Sequence, residues 1–193
     1  VEDAGAFTLT GSLGSLLVTE ADSVADSGAL SVTGTTDITT VSNGSVMLDE
    51  DTNNLAGAVT VSSGSGDITL DNASNALSLT TTSSGTVTVE NADALTVAGT
   101  MGNFVVTNAA SVADSATLTV TGTTDIDTSA SNGAVALDDD ANNLGGTVTV
   151  TAGTGNVTLD NNTNDLTLVL ASAGAVTIEN AGAFSVEGMM ASL

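Results

Sequence analysis

The sequence contains no lysine, arginine, histidine, cysteine, proline, tryptophan or tyrosine, and only three phenylalanines. Each gap removes a class of explanation. Without basic residues no salt bridge between side chains can form, and phosphates cannot be neutralised, so nucleic acid is excluded as a partner. Anionic membrane surfaces are excluded for the same reason. Without histidine, lysine or cysteine there is no base or nucleophile for the usual catalytic triads, and no zinc site built on Cys or His. Catalysis is therefore not expected. A two-carboxylate glycosidase is formally open, but acidic residues on solvated corners account for the same composition. No apolar run reaches the length of a transmembrane helix, so membrane insertion is not expected. No positive region precedes an apolar stretch, so an export signal would have to lie outside these residues.

What remains is acidic and aliphatic. The chain of 193 residues carries 23 carboxylates and a net charge of −23, with 12% of its residues charged. An ordinary domain is about a quarter charged, with both signs. Here the charge acts as self-repulsion, softened only by salt or cations at the acidic corners. A hydrophobic content of 41% supplies enough apolar surface for a core and argues against disorder.

The chain repeats itself. NGSVMLDEDTNNLAGAVTV, from Asn43 to Val61, returns 89 residues later as NGAVALDDDANNLGGTVTV, from Asn132 to Val150. EDAGAFTLTG (Glu2–Gly11) returns as ENADALTVAG (Glu90–Gly99) and ENAGAFSVEG (Glu179–Gly188). SVADSGALSVTGTTDI (Ser23–Ile38) matches SVADSATLTVTGTTDI (Ser111–Ile126). Residues 1–193 thus read as one repetitive segment, with internal repeats 11–98 and 99–187 and partial repeats 1–10 and 188–193. Both ends carry ordinary repeat sequence rather than atypical capping units. That phase suggests a segment of a longer array, with copies meeting head to tail through open coil ends.

A shorter period lies inside the long one. Val46, Ile68, Val87, Val105, Val135, Val157 and Val176 each open a strand after a turn, at steps of about 20 residues, with one enlarged step between Val105 and Val135. Apolar residues alternate with polar or small ones, as in strands with one buried face. No helical apolar stripe is evident, and richness in Gly, Ser, Thr and Val disfavours helix. The threonine-rich stretches Thr86/Thr88 and Thr147/Thr149/Thr151 read as strand propensity with solvated hydroxyls. The expected fold is all-β: a parallel β-helix (β-solenoid) with coils of about 20 residues, grouped in a larger repeat of 88–89 residues. Roughly four coils per large unit give eight or nine in all, a rod about 40 Å long. Phe7, Phe104 and Phe184 are expected to point inward. The competing fold is a tandem immunoglobulin-like sandwich, which the lack of Trp and Tyr and the short inner period disfavour.

The pattern G-x-V-x-L-D-N-x-x-N-x-L-x-L, as in Gly155–Leu168, resembles the repeats of filamentous-haemagglutinin-class bacterial adhesins. The resemblance implies a right-handed parallel β-helix that extends as a fibre from the cell surface, and hence an extracellular location. Two features depart from that family. Its amino-terminal secretion domain carries Asn-Pro motifs, absent here, and total loss of basic residues is unusual for it.

Among cofactors only calcium has candidate ligands. Asp49, Asp51 and Asn53, with Glu50 and Asn54 between and beside them, form a hard-oxygen cluster; Asp138, Asp140 and Asn142 form its repeat. Oxygens at alternate positions suit calcium, although the spacing matches no EF-hand. The alternative is that corner asparagines form an amide ladder or Asx-turns. The functional expectation is a structural segment of an extracellular filament or adhesin stalk, with copies of itself as partners. The alternative is a ligand- or glycan-binding adhesin module, stabilised by calcium.

Overall fold

A computed structural model describes residues 1–2, 5–73, 75–179 and 182–190. Among these residues there is no helix, so none is long and apolar enough to cross a membrane. The strands of the first copy are β1 (Ala6–Leu13), β2 (Leu16–Ala21), β3 (Ser23–Val32), β4 (Thr36–Thr40), β5 (Val46–Leu48), β6 (Asn54–Leu55), β7 (Ala58–Gly64), β8 (Ile68–Leu70), β9 (Leu77–Ser83) and β10 (Thr86–Val89). The second copy supplies β11 (Ala92–Met101), β12 (Asn103–Val106), β13 (Ala109–Val120), β14 (Thr124–Asp127), β15 (Val135–Leu137), β16 (Asn143–Leu144), β17 (Thr147–Gly153), β18 (Val157–Asp160), β19 (Leu166–Ser172) and β20 (Val176–Glu179). The third beginning is β21 (Phe184–Met189).

Successive strands alternate between two sheets. The first runs β1-β3-β5-β8-β10-β12-β14-β17-β19-β21, with β6 also on β3. The second runs β2-β4-β7-β9-β11-β13-β15-β18-β20, with β16 also on β13. Every pairing is parallel, and both ladders pass without a break from one repeat copy into the next. This is the β-solenoid expected from the inner period. A pair of sandwich domains would confine each sheet to one unit.

Alternation does the folding. β9, LSLTTTS, buries every other residue, and β4, TDITT, does the same. Inward side chains stack in columns along the long axis: Val24, Val46, Ile68, Val87 and Phe104 in one sheet, and Leu77, Leu95, Val112, Val135, Val157 and Val176 in the other. All of these are buried. A bore of stacked Val, Leu and Ile leaves little room for aromatics, which is the physical meaning of their scarcity.

Three expectations need correction. Val105 faces outward; its neighbour Phe104 is the inward residue at that rung. Phe184 is 46% exposed, because among the described residues no strand pairs with β21 on the side away from β19. The long repeat also contains more than four coils. Because β5 and β6 share a rung, as do β15 and β16, each copy spans nine half-turns. The first sheet therefore has ten rungs along its main path, and nine spacings of about 4.8 Å make a rod of about 43 Å.

The odd number of half-turns has a consequence for symmetry. Segments one long repeat apart lie in opposite sheets: β3 is in the first, its counterpart β13 in the second. Segments two repeats apart, β1 and β21, return to the same sheet. The enlarged step between Val105 and Val135 is where the phase changes.

Candidate functional site

The acidic, asparagine-rich corner is the most chemically distinctive place in the fold, and it occurs twice. In the first copy the chain leaves β5 at Leu48, turns through Asp49–Thr52, and re-enters the core at Asn53. Asn53 is fully buried. Its Oδ1 accepts the Leu30 backbone N–H at 2.8 Å, and its Nδ2 donates to Asp26 Oδ2. Asp26 Oδ2 also accepts the Glu50 N–H at 3.4 Å, while its Oδ1 is buried without a hydrogen bond. One coil on, Asn72 Oδ1 accepts the Leu55 N–H at 2.6 Å and Nδ2 donates to the Ala76 carbonyl at 2.9 Å.

The second copy reproduces the arrangement bond for bond in the other sheet. Asn142 Oδ1 accepts the Leu118 N–H at 2.7 Å, and Nδ2 donates to Asp114 Oδ2 at 2.5 Å. Asn161 Oδ1 accepts the Leu144 N–H at 2.6 Å and Nδ2 donates to the Asp165 carbonyl at 2.9 Å. The reason is local. Each corner loops out of the ladder and leaves backbone N–H groups in the core without strand partners. A buried unpaired N–H is costly, and a short amide side chain from the next coil supplies both an acceptor and a donor.

The carboxylates divide into two kinds. Asp71 is fully buried and holds an Asx-turn, accepting the Ala73 N–H at 2.6 Å, while its other oxygen accepts from Asn91 Nδ2 at 2.5 Å. Asn108 continues that ladder onto Asn91 Oδ1 at 3.0 Å. Asp160 repeats the turn by accepting the Asn162 N–H at 2.6 Å. By contrast Asp49, Asp51, Asp138 and Asp140 are exposed. Burial, and then the charges of Asp49, Asp71 and Asp51, push the Glu90 carboxyl above its ordinary value of 4.5.

Of the six residues singled out as calcium ligands, the structure therefore turns four outward to solvent and two inward. Asn53 and Asn142 have both ends of their amides engaged by protein groups, as in the alternative of an asparagine ladder. Among the described residues no three carboxylates converge closely enough to hold a metal ion. Asp26 and Asp114, which complete the two corners, were not anticipated as members. Their signal was present: both sit in the matched SVADS segments, 88 residues apart.

The repeat seen in the residues is matched by a family model. The model described as repeats of unknown function (DUF5649) matches residues 1–62, 55–84, 84–151 and 143–173. Its two shorter matches begin 88 residues apart, the spacing of the long repeat. No curated protein and no solved structure matches the chain. Because the matches together cover most of its length, the chain belongs to this family of repeats of unknown function (DUF5649).

Proposed function

We propose that the chain is a structural segment of an extracellular β-solenoid filament or adhesin stalk, built by stacking copies end to end. One observation carries the reading: both parallel ladders pass unbroken from one long repeat into the next, with equivalent strands joined in the same register, so the rod lengthens by adding repeats. A parallel ladder of this kind offers backbone donors and acceptors to whatever strand continues it, from the same chain or from another copy. Length and stiffness are what such a rod supplies. The lack of Lys and Arg would also leave trypsin-like proteases no cleavage site. The likeness of Gly155–Leu168 to haemagglutinin-class repeats supports a surface location and belongs to the same proposal. Electron microscopy and fibre diffraction of the purified protein test it: filaments with a meridional spacing near 4.8 Å are expected. Strictly monomeric, compact particles at all concentrations would sink it.

A second reading, a glycan- or protein-binding adhesin face, has one feature in its favour. Thr60, Ser62, Thr80, Thr82 and Thr100 are register neighbours on the outward side of β7, β9 and β11 and form a hydroxyl-rich patch. Selective, saturable binding on a glycan array that is lost on Thr80→Val would favour it over the purely structural role.

A further inference from the structure

The winding of the solenoid turns an acidic composition into a line of charge. Residues 11–98 hold eleven carboxylates and residues 99–187 hold ten, with no basic side chain to oppose them. Each long repeat advances the rod by nine half-turns, which is about 22 Å at about 4.8 Å per full turn. One negative charge therefore falls on about every 2 Å of axis. Leaving out the fully buried Asp71 and Asp160 keeps the spacing under about 2.5 Å. This density belongs to the repeat itself, whatever the number of repeats.

The charge also surrounds the rod instead of marking one side. Asp49 and Asp51 lie between β5 and β6 of the first sheet, whereas Asp138 and Asp140 lie between β15 and β16 of the second. Outward strand positions add Asp37 and Asp125, one in each sheet and both exposed.

Double-stranded DNA carries one charge per about 1.7 Å of axis and gathers a condensed atmosphere of cations. In water two unit charges interact with thermal energy at about 7 Å. Charges lined up more closely than that draw cations to the line, whatever groups carry them. At about 43 Å the rod is several times longer than the roughly 10 Å screening length of 0.1 M salt, so it acts as a line and not as a point.

We propose that the rod is a polyanion with a charge density close to that of DNA, and that its partner is a flexible Lys- or Arg-rich polypeptide segment. The segment is held along the rod by release of condensed cations, with no defined pocket. Each basic side chain laid on the rod frees a cation, and a chain of them frees many in one event, which small ions cannot do. An extended peptide advances about 3.3 Å per residue, so roughly thirteen residues span the rod. This interaction goes beyond the structural role and does not depend on end-to-end stacking.

The probe is fluorescently labelled octalysine, titrated with the full chain and followed by anisotropy between 50 and 200 mM sodium chloride. The logarithm of the affinity should fall linearly with that of the salt concentration, and the loss should reach about 10³–10⁵-fold, as when six to ten phosphates are neutralised. Octalysine of D-residues should bind as tightly as the L-form, because a line of charge does not read chirality. Two fourfold variants then locate the binding. One neutralises the corners: Asp49→Asn, Asp51→Asn, Asp138→Asn and Asp140→Asn. The other neutralises exposed carboxylates elsewhere: Asp37→Asn, Asp93→Asn, Asp125→Asn and Glu187→Gln. Both should weaken binding by the same factor. Loss confined to the corner variant, or a preference for the L-peptide, would overturn the proposal in favour of a localised site. An affinity that barely responds to salt, or no binding at 50 mM, would overturn it outright.

Discussion

Asn53 and Asn142 make the same two hydrogen bonds in opposite sheets: each accepts a buried leucine N–H, Leu30 or Leu118, and donates to an aspartate one coil away, Asp26 or Asp114. Truncating Asn53 to Ala orphans the Leu30 N–H and strips Asp26 of its amide donor. A loss of about 1–3 kcal/mol is expected from leaving buried polar groups unpaired. Asn142→Ala should cost the same, and the two losses should add, since the corners share no partner. Urea unfolding of the two single variants and the double variant checks this; a near-neutral result for either single would show that the corner does not hold the fold.

Glu90 bears on pH dependence. Its carboxyl is held above 4.5 by burial and by Asp49, Asp71 and Asp51, so the native state disfavours its ionised form. The stability linked to this group is present in full below 4.5 and is lost as pH rises through the folded value. Glu90→Gln should therefore raise the melting temperature at neutral pH relative to the parent. The difference should close below 4.5, where both side chains are neutral. A constant offset across the titration would assign the effect to packing instead.

Thr36 and Thr124 occupy inward positions, each 1% exposed, and both bury a hydroxyl with no hydrogen-bond partner. Their column neighbours are Leu16 and Val59 for Thr36, and Phe104 and Val148 for Thr124. Replacing either with Val removes an unsatisfied polar atom at nearly constant shape. Each variant should be more stable by about 1 kcal/mol. Calorimetry showing destabilisation would mean that the hydroxyl finds a partner in solution.

The exposed corner carboxylates predict a cation response without strong selectivity. Asp49, Asp51, Asp138 and Asp140 face solvent in a chain of net charge −23. Magnesium and calcium at equal ionic strength should raise the melting temperature to similar extents, by screening. A saturable gain with calcium alone, removed by Asp49→Asn with Asp51→Asn, would instead establish a specific site at the first corner.

How much of this was legible in the residues depends on the scale of the pattern. Alternation in stretches such as LSLTTTS dictates strands, and small residues with few aromatics dictate a narrow bore, so the solenoid could be read directly. The half-turn phase could not. It depends on β5 and β6 sharing one rung, and two strands of three and two residues separated by an acidic turn look like two half-turns in the sequence. The misassignment of Val105 has the same origin: FVV offers two alternations, and Phe104 faces inward because its rung continues from Val87. At the corners, the asparagines could be recognised as a cluster. Their inward direction follows from the Leu30 and Leu118 N–H groups that they accept, which lie far away in sequence.

The corners also set a steric limit on how closely coils can stack. A Cβ placed on Gly155 would lie 2.0 Å from the Gly133 carbonyl oxygen, and one on Gly66 would lie 2.2 Å from that of Gly44. Both obstacles are backbone, so neither can swing aside as a side-chain tip would. Gly14, also at a turn, would meet nothing within 4 Å. Gly155→Ala should push adjacent coils apart and cost about 1–3 kcal/mol or more, the range for overpacking a tight interior. Gly14→Ala should be neutral or slightly stabilising, because alanine restricts the unfolded chain. Comparing the two by urea unfolding separates crowding between coils from the general effect of losing a glycine. Equal effects would mean that the corner relaxes without cost, and that coil spacing is not held by these glycines.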